Sequence, residues 1–180
     1  MKKSCRNLYF CNKIAQKRVL FSLLLKFIIN FALHLLFFFI MAISFFNEGN
    51  AQMPTINKTN IRAWVKQVAQ NHGKRVGEVS YIFCDDEKIL EVNRQYLQHD
   101  YYTDIITFDY TEGDKISGDL FISLDTVRTN AEQFEQPYDR ELHRVIIHGI
   151  LHLCGINDKG PGEREVMEQH ENQALSLLKL

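Results

Sequence analysis

The sequence is poor in the features that mark several common classes of protein. Its 180 residues include only four cysteines, whose scatter indicates a reducing compartment rather than a disulfide framework. Beyond residue 46 it has no internal repeat, low-complexity tract or interdomain linker. Residues 41–180 hold 14 of the 21 Lys and Arg residues but all 22 Asp and Glu residues, a net charge near −8. This balance excludes a protein that binds nucleic acid through bulk positive charge.

What the chain does contain is a group of metal-ligand residues between His148 and Asp158. In a helix, His148 and His152 lie one turn apart on one face, so both imidazoles can bind one ion. Gly155 is suited to end that helix in a left-handed conformation, after which Asp158 can approach the same ion. Three protein ligands leave a fourth position for water, which zinc acidifies to a pKa of about 7. The motif predicts a hydrolytic site with one Zn²⁺ per chain, bound by His148, His152 and Asp158.

Other roles for these residues remain open. Two histidines at helical spacing can be purely structural. Asn157 is an alternative third ligand, although an amide oxygen binds zinc weakly. Cys154 offers a soft sulfur, yet two residues after His152 on a helix it faces about 200° away. His99 and His170 could reach the ion only through tertiary contacts.

The spacing is also similar to that of zinc metallopeptidases, whose pattern begins H-E-x-x-H. In those enzymes the Glu after the first histidine is the general base. Here that position is Gly149, which cannot accept a proton. A metallopeptidase is therefore the weaker interpretation.

The motif resembles that of the bacterial YbeY proteins, a family of metal-dependent endoribonucleases whose signature runs H-G-x-L-H-L-x-G-Y-D-H. The matching residues are His148, Gly149, Leu151, His152, Leu153 and Gly155. The chain departs from the signature at its end, where Asp158 occupies the position of the third histidine. A carboxylate oxygen is an ordinary zinc ligand, so this change is compatible with a metal site.

Two upstream blocks extend the resemblance to about residues 42–178. Residues 93–108 are similar to the family's N-x-x-Y-R-x-K-D-x-x-T-[DN]-V-L-S-F block, and residues 118–122 match its G-D-I-x-I strand. The arginine that the family places after the tyrosine, and that is implicated in its activity, is Leu97 here. Arg94, one helical turn earlier, is the candidate for reaching the same space.

Hydrophobic periodicity predicts an α+β fold for residues 41–180, with about four strands in a small mixed sheet surrounded by helices and the metal motif on a central helix. We expect Asp125 to cap the helix that ends near Phe134, and Pro137 to precede the motif helix. His143 lies on another face of that helix and is expected at the surface. The predicted strands are residues 42–46, 79–84, 103–110 and 118–124, and the helices are residues 57–72, the segment after Asp85, 125–134, the segment after Pro137, and 162–178.

The resemblance implies a single-strand-specific, zinc-dependent endoribonuclease of the cytoplasm. It implies action on the rRNA precursor, at the 3′ end of the small-subunit rRNA, and in ribosome quality control. The implied partners are the small ribosomal subunit and its assembly factors. A non-catalytic assembly factor with a structural metal is an alternative because of Leu97. Candidate RNA contacts, each more typical of a solvated surface charge, are Lys74, Arg75, Arg94, His99, Arg140 and Arg144.

Residues 1–40 differ from the rest of the chain, with seven Lys or Arg residues and no acid before a long apolar run. A basic head followed by about 20 apolar residues is typical of a signal anchor. However, residues 41–48 resemble the opening strand of the YbeY family, and a strand cannot also end a membrane helix. We therefore expect residues 1–40 to be a mis-assigned extension and Met41 to be the true start, in which case no membrane is involved.

Mass spectrometry of the native protein tests this expectation. We expect the N-terminal peptide to begin at Met41 or, after removal of the initiator methionine, at Ala42. A peptide that begins well before Met41 would contradict it.

Overall fold

The computed structural model describes residues 43–178, so the predicted extension over residues 1–40 and the start at Met41 lie outside the described residues. The strands are β1 (Ile43–Asn47), β2 (Arg75–Cys84), β3 (Ile105–Asp109) and β4 (Lys115–Ser123). The helices are α1 (Lys58–Asn71), α2 (Asp86–Val92), α3 (Leu124–Gln133), α4 (Tyr138–Leu153) and α5 (Glu163–Leu177), with a π-helical turn (Asn93–Leu97) after α2. Within residues 43–178, no helix has both the length and the apolar character needed to span a bilayer.

The four strands form one mixed sheet in the order β1-β2-β4-β3. β1 and β4 both pair with β2 in parallel, and β3 pairs with β4 in antiparallel. Alternate residues of a strand point to opposite faces of the sheet. Accordingly, Leu120 and Ile122 of β4 belong to the main core, whereas Phe121 packs on a smaller cluster with Ile89 and Ile106. The predicted α+β class with a small mixed sheet of four strands is confirmed.

Helix α4 lies at the centre of the domain, as the sequence predicted. Its apolar residues are almost fully buried and it contacts helices α1, α3 and α5 as well as strands β3 and β4. The buried hydroxyl of Tyr81 donates a hydrogen bond of 3.2 Å to the carbonyl of Ile146, which ties the helix to β2. The indole N–H of Trp64 donates to the carbonyl of Ala174 at 2.8 Å and so joins α1 to α5. The helix that carries His148 is thus packed against the sheet and against helices α1, α3 and α5.

The cap of α3 lies two residues before the predicted one. Ser123, the last residue of β4, caps the helix by accepting a hydrogen bond from the backbone N–H of Thr126 at 3.2 Å. The predicted cap, Asp125, lies in the first turn instead. The physical reason is that β4 runs directly into the helix without a loop, so the hydroxyl at the strand end supplies the cap.

His143 is buried, so its predicted surface position is wrong. Its side chain is only 7% exposed, and its ring centroid lies 6.1 Å from that of Trp64 in an edge-on contact. Burial lowers the pKa of His143, which favours the neutral ring. No local pattern around His143 predicts this burial, because the covering residue, Trp64, comes from α1, far along the chain.

Gly149 lies where α4 makes its closest approach to the sheet. A Cβ at this position would collide with a methyl group of Leu120, lie 2.8 Å from Cδ1 of Ile105 and lie 3.3 Å from Oγ1 of Thr107. All three neighbours belong to β3 and β4, so the helix would have to move away from the sheet.

We expect Gly149→Ala to destabilise the fold by about 1–3 kcal/mol, the usual cost of overpacking a core. In an unobstructed helix the same substitution would stabilise the protein by about 0.5–1 kcal/mol. The sign of the change in the free energy of unfolding therefore shows whether the helix and the sheet are in tight contact. Urea unfolding followed by circular dichroism measures it. A variant as stable as the wild type, or more so, would show that the approach is not tight.

Candidate metal centre

The three predicted ligands meet at the C-terminal end of α4. The rings of His148 and His152 are nearly perpendicular, with centroids 4.4 Å apart, and their Nε2 atoms are 2.9 Å apart. Oδ2 of Asp158 lies 3.6 Å from Nε2 of His148 and 3.7 Å from Nε2 of His152. Ligands about 2.1 Å from a tetrahedral zinc ion are about 3.4 Å from one another. The residues present therefore fit an ion of that kind.

The turn after α4 brings Asp158 back toward the histidines. Gly155 adopts a left-handed conformation with φ of 93°, as its predicted role as helix terminator requires. Its N–H donates to the carbonyl of His152 at 2.8 Å, and the N–H of Ile156 donates to that of Leu151 at 3.0 Å. These two bonds form a Schellman motif. Ile156 also packs on the core, so the path of the chain toward Asp158 is fixed by backbone bonds and by apolar contact.

Each histidine uses its second nitrogen to bind a protein acceptor. Nδ1 of His148 lies 2.6 Å from Oε1 of Glu171, and Nδ1 of His152 lies 2.9 Å from the carbonyl oxygen of Ile156. Both acceptors require a proton on Nδ1, which leaves the lone pair of each Nε2 directed toward the common point. Burial and the neighbouring His148 lower the pKa of His152, so the neutral form that a metal needs is favoured.

Glu171 belongs to a buried group of charges around Arg144. The guanidinium binds both oxygens of Glu141 at 2.7 and 2.9 Å, Oε1 of Glu171 at 3.0 Å and Oδ2 of Asp104 at 3.1 Å. Burial alone would lower the pKa of Arg144, but the bond to Glu141 and the charges of Glu171 and Asp104 outweigh it and raise the pKa. Arg144 is only 25% exposed. It therefore differs from the solvated surface charge that the sequence suggested.

Sequence reasoning missed Glu171, although a signal was present. Glu171 is 6% exposed and shares the inner face of α5 with Met167 and Ala174, at the spacing of core positions. A carboxylate at an apolar position of an amphipathic helix is rare unless it is paired. That observation could have marked Glu171 as the partner of a buried cation or a histidine.

A cleft of about 600 Å³ opens over the three candidate ligands. Leu97, at the position of the family arginine, lines this cleft together with His99 and Tyr101. Arg94 does not line it, because its guanidinium binds Oδ1 of Asp100 at 2.6 Å and its side chain faces a separate surface pocket. The structure thus brings together His148, His152 and Asp158 but leaves Arg94 apart from them.

Two of the other candidate ligands, His170 and Cys154, lie outside the cluster, whereas Asn157 and His99 line the cleft beside it. Nδ1 of His170 contacts Nε2 of His72 at 3.2 Å. Cys154 packs against the core, and burial raises the pKa of its thiol to about 11, which disfavours the thiolate that binds metals. Among the His, Cys, Asp and Glu side chains of residues 43–178, the group with the spacing to hold an ion consists of His148, His152 and Asp158, whose ligand atoms all lie within 4.8 Å of one another.

The fold and this site define a small α+β domain with a candidate metal-dependent hydrolytic centre. The model of the family Endoribonuclease YbeY matches residues 46–179. A protein of Phocaeicola vulgatus is 77% identical over 138 residues, which cover 77% of this chain and 99% of that protein. A protein of Parabacteroides distasonis is 72% identical over 138 residues, which cover 77% of this chain and 96% of that protein. Both carry the name Endoribonuclease YbeY.

A solved structure has a similar fold. The solution structure of TM1509 from Thermotoga maritima aligns with a TM-score of 0.53 and 26% sequence identity, over 74% of this chain and 89% of that chain. With the family match over most of its length, the chain belongs to the endoribonuclease YbeY family. The resemblance found in the sequence is confirmed.

The contact between Glu171 and His148 can be tested by a substitution that removes the charge of the Glu171 side chain and keeps its shape. We expect Glu171→Gln to weaken Zn²⁺ binding by about 10- to 100-fold, the usual effect of losing a group that orients a histidine ligand. Competition with a chromogenic chelator measures the affinity, and circular dichroism checks folding.

Glu168→Gln is the matched control, since Glu168 is an exposed carboxylate of the same helix. The Zn²⁺ affinity of this control variant should equal that of the wild type. Equal affinities of the Glu171 variant and the wild type would show that this carboxylate does not support the site.

Proposed function

We propose that this chain is a Zn²⁺-dependent, single-strand-specific endoribonuclease. It acts in the maturation of rRNA, at the 3′ end of the small-subunit rRNA, and in ribosome quality control. The observation that carries the proposal is the convergence of Nε2 of His148, Nε2 of His152 and Oδ2 of Asp158 within 4.8 Å on the floor of a cleft. Membership in a family of endoribonucleases supplies the substrate class.

In this proposal the protein groups hold and orient the reacting partners. His148 and His152 present Nε2, while Glu171 and the carbonyl of Ile156 keep the proton of each ring on Nδ1. Asp158 adds a negative charge that favours a divalent cation over water at this point. A zinc ion bound there supplies a Lewis acid and lowers the pKa of a water molecule to about 7. The cleft then orients the phosphodiester relative to these groups.

Access for a strand of RNA is provided from two sides. The cleft over the ligands meets a second one of about 690 Å³, and His148, Asp158 and Asp104 line both. The second cleft carries Arg140 and Arg164, two of the few cations near the site. Because residues 41–180 are acidic overall, such local cations rather than the bulk charge would contact phosphates.

The place of action follows from the same proposal. The enzyme works in the cytoplasm, where precursor rRNA is available, and its partners are the small ribosomal subunit and the assembly factors bound to it. The cysteines agree with a reducing compartment, since the two in the described part of the chain, Cys84 and Cys154, form no disulfide.

Two alternative functions are each judged from one residue. For a metallopeptidase, the position of the general base is Gly149, which packs against β3 and β4 and brings no carboxylate to the site. For a non-catalytic assembly factor, Leu97 is the favouring observation, because an apolar side chain replaces the family's arginine on the wall of the cleft.

We expect the wild type to contain about one zinc per chain and to cleave single-stranded RNA, and we expect His152→Ala and Asp158→Ala to lose both properties while remaining folded. Elemental analysis measures the metal, and denaturing gel electrophoresis measures the cleavage. His170→Ala is the matched control, because His170 contacts His72 rather than the candidate ligands, and it should keep both properties.

The outcomes separate the alternatives. A zinc-loaded wild type that leaves RNA intact would overturn the nuclease and favour the assembly factor. Retention of zinc by Asp158→Ala would remove Asp158 from the ligand set. Cleavage of a peptide substrate instead of RNA would favour the metallopeptidase.

A further inference from the structure

Exposed large apolar side chains are concentrated in the segment that forms one wall of the cleft over the candidate ligands. Large apolar side chains are normally scattered singly over a protein surface, and a group of them marks an interaction site. Between Tyr96, in the π-helical turn, and Tyr110, directly after β3, five such residues are exposed. They are Tyr96, Leu97, Tyr101, Tyr102 and Tyr110.

Tyr101 is held in place although its side chain is exposed. Its ring stacks on that of His99, with centroids 5.2 Å apart and planes inclined by 22°, and its hydroxyl lies 3.1 Å from Nδ1 of His99. The side-chain amide of the buried Asn93 donates to the carbonyl of Tyr101 at 2.8 Å. The residue remains 56% exposed. A ring fixed in this way loses little conformational entropy when a flat ligand stacks on it.

The pair formed by His99 and Tyr101 lines the same cleft as His148, His152 and Asp158. Leu97 adds an apolar side chain to this wall, and Lys159 lines the cleft together with Asp158. One part of the cleft is therefore aromatic and apolar, and another carries the candidate ligands and a cation. A nucleotide has the same two parts, a flat base and a charged phosphate.

We infer that His99 and Tyr101 form a stacking site for one unpaired base of the RNA strand whose phosphodiester lies at the metal centre. This inference rests on the proposed nuclease function. In a duplex both faces of a base are stacked on neighbouring pairs, so the ring of Tyr101 can accept only a base that is free of a duplex. Because the domain is acidic, stacking supplies affinity that bulk charge cannot.

The test measures binding of a fluorescein-labelled, single-stranded oligoadenylate to the zinc-loaded full chain by fluorescence anisotropy. We expect Tyr101→Ala to raise the Kd by about 5- to 100-fold, and Tyr101→Phe, which keeps the ring, to change it by less than about twofold. Binding of an abasic oligonucleotide of equal length should be unaffected by either substitution. The anisotropy is read on ice immediately after mixing, and a denaturing gel confirms that the RNA is still intact at that reading. A longer incubation of the same samples at working temperature then measures cleavage.

Tyr102→Ala is the matched control. Tyr102 is adjacent and 55% exposed, but it does not line the cleft, so its removal should leave the Kd within about twofold of the wild type. Equal affinity of Tyr101→Ala and the wild type for the oligoadenylate, or equal losses for Tyr101→Ala and Tyr102→Ala, would overturn the inference. Binding that depends on Tyr101 without cleavage would support the stacking site and overturn the nuclease instead.

Discussion

The close approach of helix α4 to the sheet at Gly149 is the constraint on which the geometry of the candidate metal centre depends. Because the helix touches β3 and β4 there, its rotation about its own axis is set, and the neighbouring His148 must face the cleft. His152 follows one turn later on the same face. The Schellman turn at Gly155 then returns the chain to the site. The contact of α4 with the sheet thus sets the directions of the two histidines, and the turn at Gly155 sets that of Asp158.

The charges around Arg144 provide the second constraint, and they act between elements. Glu141 comes from α4, Asp104 from the segment before β3 and Glu171 from α5, so one guanidinium connects three parts of the chain. A buried ion cluster often contributes little net stability, because desolvation offsets much of the attraction. Its effect here is orientation, since the cluster holds the carboxylate that binds Nδ1 of His148.

Local patterns were sufficient to predict the parts of the site that lie within one segment. The spacing of His148, His152 and Asp158 follows from the geometry of one helix and one turn, and the apolar periodicity located the helices and strands to within a few residues. Glu171 and the burial of His143 depend on packing between α4 and distant helices, which periodicity in one segment does not reveal.

The π-helical turn after α2, at the other wall of the cleft, is a second feature that the sequence pattern did not predict. Leu97 occupies the position of the family's arginine. The sequence predicted that Arg94 could reach the same space, on the assumption that the α-helix continued. Instead the turn widens and ends at Gln98 in a left-handed conformation, with Arg94 bound to Asp100 and Leu97 directed toward the cleft. The wall opposite the candidate ligands is therefore apolar and aromatic. Selection among RNA substrates would then depend on the shape and stacking of bases more than on charge, as the acidity of the domain requires.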